Sequence, residues 1–277
     1  MGSEMCIRDR MRTVRLELMR PDEICQVLRE KSIAYLPVGP LEWHGPAMPY
    51  GTDAMAAGES ARRTAMITGG AVVPTMFMGT ETPRDNEFLQ TAGLQPDTYV
   101  VGMDFPKNSI PSMYLRAELF AVMLREQVRL LVNLGFKLIV IVNGHGAVAQ
   151  EEAIHRIAKE TTAETDSTVI GVRATYALKE GDLNGGHGSV KETAVQMYLN
   201  GGSVDLSKFP PREEPLRMPD YGILNLFGPH FPKDMIMDPD PRDATAELGK
   251  QYLEHGAEKN AGIVEEVWKQ LLEEQNK

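Results

Sequence analysis

The sequence predicts an α/β protein built on a mostly parallel central sheet. Two observations carry this expectation. Short apolar runs of strand length alternate with stretches of helical periodicity, the pattern of βαβ units. One of those runs, Leu138-Ile139-Val140-Ile141-Val142, is β-branched and wholly apolar, as a strand buried on both faces must be. A chain of 277 residues with 42% hydrophobic and 25% charged residues can bury a sizeable core.

The elements follow in order. Residues 14–30 carry a helical pattern after a short polar start. A strand spans 32–38 and ends in the stretch from Pro37 to Pro40. A helix over 54–68 is closed by Gly69 and Gly70, residues suited to a helix C-terminus. A second strand is expected over 71–75. Residues 79–112 are rich in Gly, Pro, Asp and Asn; loops of that length inside a compact domain usually serve function. Helices are expected over 113–134, 147–162, 190–199 and 244–273, with strands over 137–142 and 168–176. The proline-rich stretch 205–242 is expected to form a subunit contact or a lid. Residues 1–10 read as a tag- or adapter-derived leader, leaving 11–277 as a single domain.

Composition narrows the function. A net charge of −10 argues against a nucleic-acid binder, which usually shows a basic patch. It also gives no attraction to anionic lipid, and no apolar run approaches the roughly 18 residues that span a bilayer. Two cysteines, Cys6 and Cys25, make no disulfide framework and fit a reducing, cytoplasmic compartment. Cys25 reads as a packing residue, His155 as a surface one. No nucleophile elbow and no phosphate-binding loop is present.

Chemistry concentrates in three short segments. Glu42-Trp43-His44-Gly45-Pro46 and Gly51-Thr52-Asp53 lie just past the first strand. Glu42 and His44 are two apart, so in extended chain they point the same way. They read either as a solvated loop pair or as ligands, and Asp53 either as a helix N-cap or as a further ligand. The second segment, Asn143-Gly144-His145-Gly146, follows the central strand at once. Its histidine sits where open α/β sheets bind ligands; the alternative is a polar helix cap. Taken together, Glu42, His44, Asp53 and His145 supply a mixed N/O set suited to Zn or Mn. In the third segment, Gly185-Gly186-His187-Gly188-Ser189 leads into a helix carrying Glu192. His187 is a candidate proton donor. Glu192 is a candidate fifth ligand or general base, or else a first-turn acid favoured by the helix dipole.

These motifs resemble the creatininase (creatinine amidohydrolase) family. Leu36-Pro37-Val38-Gly39-Pro40-Leu41-Glu42-Trp43-His44-Gly45-Pro46 resembles its first metal motif, and Pro49-Tyr50-Gly51-Thr52-Asp53 the continuation. Asn143-Gly144-His145-Gly146, then His187-Gly188 with Glu192-Thr193, resemble its later motifs. Asp238-Pro239 and Ala244-Thr245-Ala246-Glu247-Leu248-Gly249 resemble its closing pattern. The resemblance covers about residues 33–255.

It implies a three-layer α/β/α fold and a dinuclear centre of divalent metals (Zn, Mn or Fe), two per chain. In that centre Asp53 would bridge the metals, Glu42 and His145 would hold one, and His44 the other. It implies hydrolysis of a C–N bond in a small amide, cyclic amide or formamide by an activated water, and a homo-oligomer, usually a hexamer. In such a mechanism His187 would protonate the leaving nitrogen; apart from the resemblance, Arg84 and Asn86 in the long loop, with Tyr176, are candidate substrate contacts. Alternatives on the same scaffold are a terminal peptidase or deformylase and a non-catalytic small-molecule-binding protein.

Several features depart from the pattern, among them the absence of the usual Asn after Gly144-His145-Gly146, where Ala147-Val148-Ala149 follows. In creatininase proper, a glutamate ligand stands two residues after the motif histidine; here that position is Ala147, leaving Glu192 as the candidate replacement. Ala47 stands in place of a second histidine. No tryptophan lies between His145 and His187, where creatininase covers its substrate with tryptophans, so creatinine itself is not the implied substrate.

Overall fold

The structure, a computed structural model, describes residues 12–91, 94–106, 108–179, 186–214, 216 and 239–275. Its sheet is parallel throughout. The strands are β1 (Ile33–Gly39), β2 (Ala71–Val72), β3 (Met76–Phe77), β4 (Leu138–Asn143) and β5 (Thr168–Arg173). Their order is β2-β1-β4-β5, with β3 also pairing β1. β4 lies between β1 and β5, as its apolar β-branched run predicts. Val38 pairs with Asn143, so β1 and β4 end level with each other.

Alternate residues of these strands feed two separate cores. Ala34, Leu36, Val38, Ile139 and Ile141 pack on one face. There they meet α1 (Pro21–Glu30), α4 (Ala117–Leu134) and α5 (Val148–Glu164) through Val27, Phe120, Leu124 and Ile157. Ile33, Tyr35, Leu138, Val140 and Val142 turn to the other face. They meet α2 (Thr52–Thr68), α6 (Val190–Asn200) and α7 (Ala246–Gln275) through Ala57, Ala61, Val195 and Tyr252. The period-2 alternation of a strand thus produces the three layers. A short helix α3 (Asn86–Thr91) lies within the irregular stretch before α4. There Leu89, Val100 and Phe105 form a small core of their own.

Several boundaries differ from expectation, and proline accounts for two. The helical pattern of 14–30 is split into a 3-10 turn at Leu16–Leu18 and α1, which starts at Pro21. Proline disfavours helix in the residue before it and fits the first helical position. The expected strand over 71–75 stops at Val72, and pairing resumes at Met76 beyond Pro74, which offers no ladder N–H. α4 starts at Ala117 because Met113 and Leu115 donate backbone N–H groups to Leu41 and Gly79 instead. Cys25 lies on α1 but is exposed rather than packed. The leader, Gly185, Asp238 and most of 205–242 lie outside the described residues. Among the described residues, no helix is long and apolar enough to cross a membrane.

Candidate metal centre

The four expected ligands converge at the carboxyl ends of β1 and β4. The chain leaves β1 at Gly39, and Glu42 is anchored by its N–H to the Tyr50 carbonyl oxygen at 2.8 Å. Asp53 is the second residue of α2, whose N-cap is Gly51, so Asp53 is not a capping residue. Two glycines permit the convergence. A Cβ on Gly144 would lie 2.1 Å from the Asp53 carbonyl oxygen, and one on Gly39 2.6 Å from the Ala54 nitrogen. The strand ends therefore touch the first turn of α2 backbone to backbone, as only glycine allows.

A buried brace fixes His145. Asn143 donates from Nδ2 to the His145 carbonyl at 2.7 Å and accepts the His145 N–H at 3.1 Å. Gln150 Nε2 donates to the same Asn143 oxygen at 2.7 Å, and Gln150 Oε1 accepts the Thr80 N–H at 2.9 Å.

The geometry centres on Asp53. Its Oδ2 lies 3.0 Å from His145 Nδ1 and its Oδ1 lies 3.2 Å from His44 Nε2, so each oxygen faces a different histidine. Glu42 Oε2 lies 3.1 Å from His145 Nδ1. Glu192 Oε2 lies 3.7 Å from His44 Nε2. Two ligand groups result, Glu42–Asp53–His145 and His44–Asp53–Glu192, with the donor atoms of each within 4.8 Å of one another. A third grouping joins Glu42, His44 and His187.

These residues fit a cation. His44 Nδ1 donates to the Glu42 carbonyl oxygen at 3.1 Å, which turns Nε2 inward, the orientation that an outer hydrogen bond imposes on a ligating imidazole. Glu42 Oε2 and His44 Nε2 are buried without a hydrogen-bond partner. Such groups are costly unless a proton or metal joins them. The proton on His145 Nδ1 serves Asp53, leaving Glu42 Oε2 bare.

Charge is correspondingly compressed. Burial drives Asp53 up, but the charge of His44 and the hydrogen bond and charge of His145 outweigh it and hold the carboxyl far below its usual range. Burial likewise opposes ionisation of Glu42, and the His145 charge above all holds it down. Burial lowers His44, yet Asp53 above all pushes it up to about 10. His145 is raised well above its ordinary value against burial, by Glu42 and Asp53. Burial raises Glu192. Burial and then the His44 charge hold His187 down to about 3, so it is neutral.

His187 stands beside the pair. Its ring lies 4.2 Å from that of His44. Nε2 bonds the Trp43 carbonyl oxygen, so it carries the proton, and Nδ1 faces Glu42 Oε1 at 3.7 Å. Glu192 Oε2 accepts the Gly188 N–H at 2.7 Å, and Ser189 caps α6. One residue that no sequence pattern singled out completes the set. Tyr114 donates its hydroxyl to Glu42 Oε1 at 2.5 Å.

The cluster floors a cavity of about 480 Å³. Arg84 lines it, with Phe88, Met103 and Phe105. Asn86 and Tyr176 are not brought to its wall. Asn86 is exposed at the start of α3, and the Tyr176 hydroxyl donates to Asn260 Oδ1 at 2.7 Å and accepts the Arg173 N–H. Ala147, the departure from the motif, lines the cavity as a buried methyl group. Ala47 packs on Phe209 and Leu216.

Comparison with known proteins agrees with this picture. Among solved structures, a creatininase in a manganese form is 20% identical, with 92% of this chain and 98% of that chain covered at a TM-score of 0.63. A mutant creatininase of Zn–Zn type is 20% identical over 92% and 98%, with a TM-score of 0.62. A putative creatinine amidohydrolase from Bacteroides fragilis is 20% identical over 93% and 97%, with a TM-score of 0.60. Such likenesses speak to the fold. No curated protein matches the chain. The family model for creatininase, described as creatinine amidohydrolase, matches residues 17–264. With nearly the whole length so matched, the chain belongs to the creatininase family.

Proposed function

We propose that this protein is a metal-dependent hydrolase of C–N bonds in small amides, cyclic amides or formamides. The observation that carries the reading is Asp53, whose two carboxylate oxygens each face a different histidine, as a residue shared by two metals would. Glu42 and His145 would complete one site, His44 and Glu192 the other. Glu192 takes the place of the ligand missing at Ala147. Nitrogen and carboxylate donors of this kind suit Zn, Mn or Fe. When bound, such cations supply Lewis acidity, polarising a carbonyl and acidifying a water.

The chain's own groups then divide the proton work. Neutral His187 keeps its Nε2 proton on the Trp43 carbonyl and offers Nδ1 to the cluster. Nδ1 takes the proton released as water oxygen bonds to the amide carbon. It returns that proton to nitrogen as the C–N bond breaks, since an unprotonated amide nitrogen leaves poorly. The products are a carboxylic acid and an amine, both on one molecule where the amide is cyclic. This refines the expectation of a simple proton donor, because His187 must first accept what it gives.

Elemental analysis of tag-free protein purified without chelator tests the reading, together with hydrolysis of N-formyl compounds and lactams. About two metals per chain are expected, as two-metal hydrolytic centres require. Asp53→Asn should lose both metals and activity. About one metal would point to a mononuclear hydrolase. No uptake even after adding Zn or Mn would overturn the reading and favour a non-catalytic binding protein.

A further inference from the structure

Beyond the metal cluster, the cavity is charged in a particular way. Glu81, Arg84, Glu151, Arg173 and Lys191 line it. Arg173 and Glu151 pair at 2.9 Å and cancel. The Glu81 carboxylate accepts the Thr82 N–H. Among the described residues neither Arg84 nor Lys191 closes an ion pair, although the Lys191 charge acts on the neighbouring Glu192 carboxylate and the chain as a whole is at −10.

Lys191 is the second residue of α6, where the helix dipole disfavours positive charge, and it is half-buried. The Arg84 guanidinium is fixed rather than free. Its Nε donates to the Gly102 carbonyl at 2.7 Å and its plane lies 5.0 Å over the Phe88 ring. Nη2 lies 3.7 Å from Met103 Sδ, which leaves Nη1 as the guanidinium nitrogen with no hydrogen bond among the described residues. Phe88 and Phe105, with ring centres 6.1 Å apart, make an apolar wall with Met103 on the same cavity.

We infer that the substrate is an anionic amide, an N-acylated amino acid with an apolar side chain, whose free carboxylate is held by Arg84 and Lys191. The side chain would rest against Phe88 and Phe105 and the acyl amide over the metal cluster. This rests on the hydrolase reading for the fate of the amide, but the anion site itself does not.

Two measurements on the metal-loaded full chain separate the claims. The first compares hydrolysis of N-formyl- and N-acetyl-L-phenylalanine with that of N-formyl- and N-acetylphenethylamine, which lack only the carboxylate. A kcat/KM at least ~10-fold higher for the acids is expected, the scale of one charge-assisted contact. Equal turnover of acids and neutral amides overturns the anion site and leaves the hydrolase standing. The second is calorimetric binding of 3-phenylpropionate, which has no amide to cleave. Arg84→Gln and Lys191→Met should each weaken it about 10-fold with metal content unchanged. Unchanged affinity in both variants means that the carboxylate sits on the metals, and overturns the proposal. Binding that depends on both cations, with none of the four amides cleaved, supports the anion site and counts against the hydrolase.

Discussion

Tyr114 shows how much a single hydroxyl can govern in this centre. It donates to Glu42 Oε1 at 2.5 Å, which leaves Oε2 as the free oxygen facing His145. Tyr114→Phe keeps the ring and removes only that bond. Loss of a partner to a ligating carboxylate typically costs 10–100-fold in metal affinity. We therefore expect Tyr114→Phe to weaken one metal site by ~10–100-fold, read by titration with a chelating dye, while the fold stays intact by circular dichroism. Unchanged affinity would show Glu42 to be positioned by its backbone alone. The proposed ligands were legible because each lies in a short segment at a strand end: Glu42 and His44 two apart, Asp53 opening a helix, His145 between glycines. Tyr114 and Gln150 were not. Tyr114 is 72 residues from Glu42 and Gln150 is 70 from Thr80, and no local periodicity marks a partner at that distance. Asn86 and Tyr176 do not line the cavity: Asn86 is turned to solvent at the start of α3, and the Tyr176 hydroxyl is taken up by Asn260 and Arg173, placements that no local pattern marks.

At the scale of elements, the contact between β4 and α2 is the joint that assembles the centre. A Cβ on Gly144 meets the Asp53 carbonyl oxygen at 2.1 Å, and both partners are backbone, so neither can swing away. Gly144→Ala should cost about 1–3 kcal/mol, as overpacking does, and should displace Asp53 from His145. Chemical denaturation would read the first effect and metal titration the second; native stability with native metal affinity would disprove the joint. A second joint lies far from the metals. Arg242 donates to the carbonyls of Pro210, Pro211 and Glu214 and pairs with Asp240, so one guanidinium ties 210–214 to 240–242. Arg242→Ala strands those carbonyls and should cost about 2–3 kcal/mol, with metal affinity nearly untouched. The long helices and the central strand were readable from apolar periodicity. The misplaced boundaries at Pro21, Pro74 and Ala117 arose where a proline or a long-range backbone bond overrode the local pattern. The Arg242 knot has no periodic signature at all.

For the whole molecule, the cluster links stability to pH in opposite directions with and without metal. In the metal-free protein His44 titrates at about 10 against an ordinary 6.5, raised by Asp53, and His145 is raised too. A group whose folded value lies above its unfolded one stabilises fully below the unfolded value. That contribution is lost as pH rises through the folded one. The metal-free protein should therefore lose stability between pH 6.5 and 10. Metal uptake must expel these protons, because a ligating imidazole is neutral. Binding then strengthens over the same range as fewer protons compete, and a ligand that binds only the folded chain stabilises it by mass action. The gap in Tm between metal-loaded and metal-free protein should widen from pH 6.5 upward, and Zn added to metal-free protein at pH 7 should release about two protons per chain. Below pH 4 the order of effects changes. Asp53 and Glu42 are held below their ordinary values, so their contribution, present above those values, disappears as acid protonates them. Calorimetric scans across pH 4–10 with and without Zn test the histidine part of the scheme, and scans below pH 4 test the carboxylate part. A Tm gap that stays constant through that range would mean that His44 and His145 carry no proton in the metal-free protein, and that the imidazoles and carboxylates are kept apart by something other than charge.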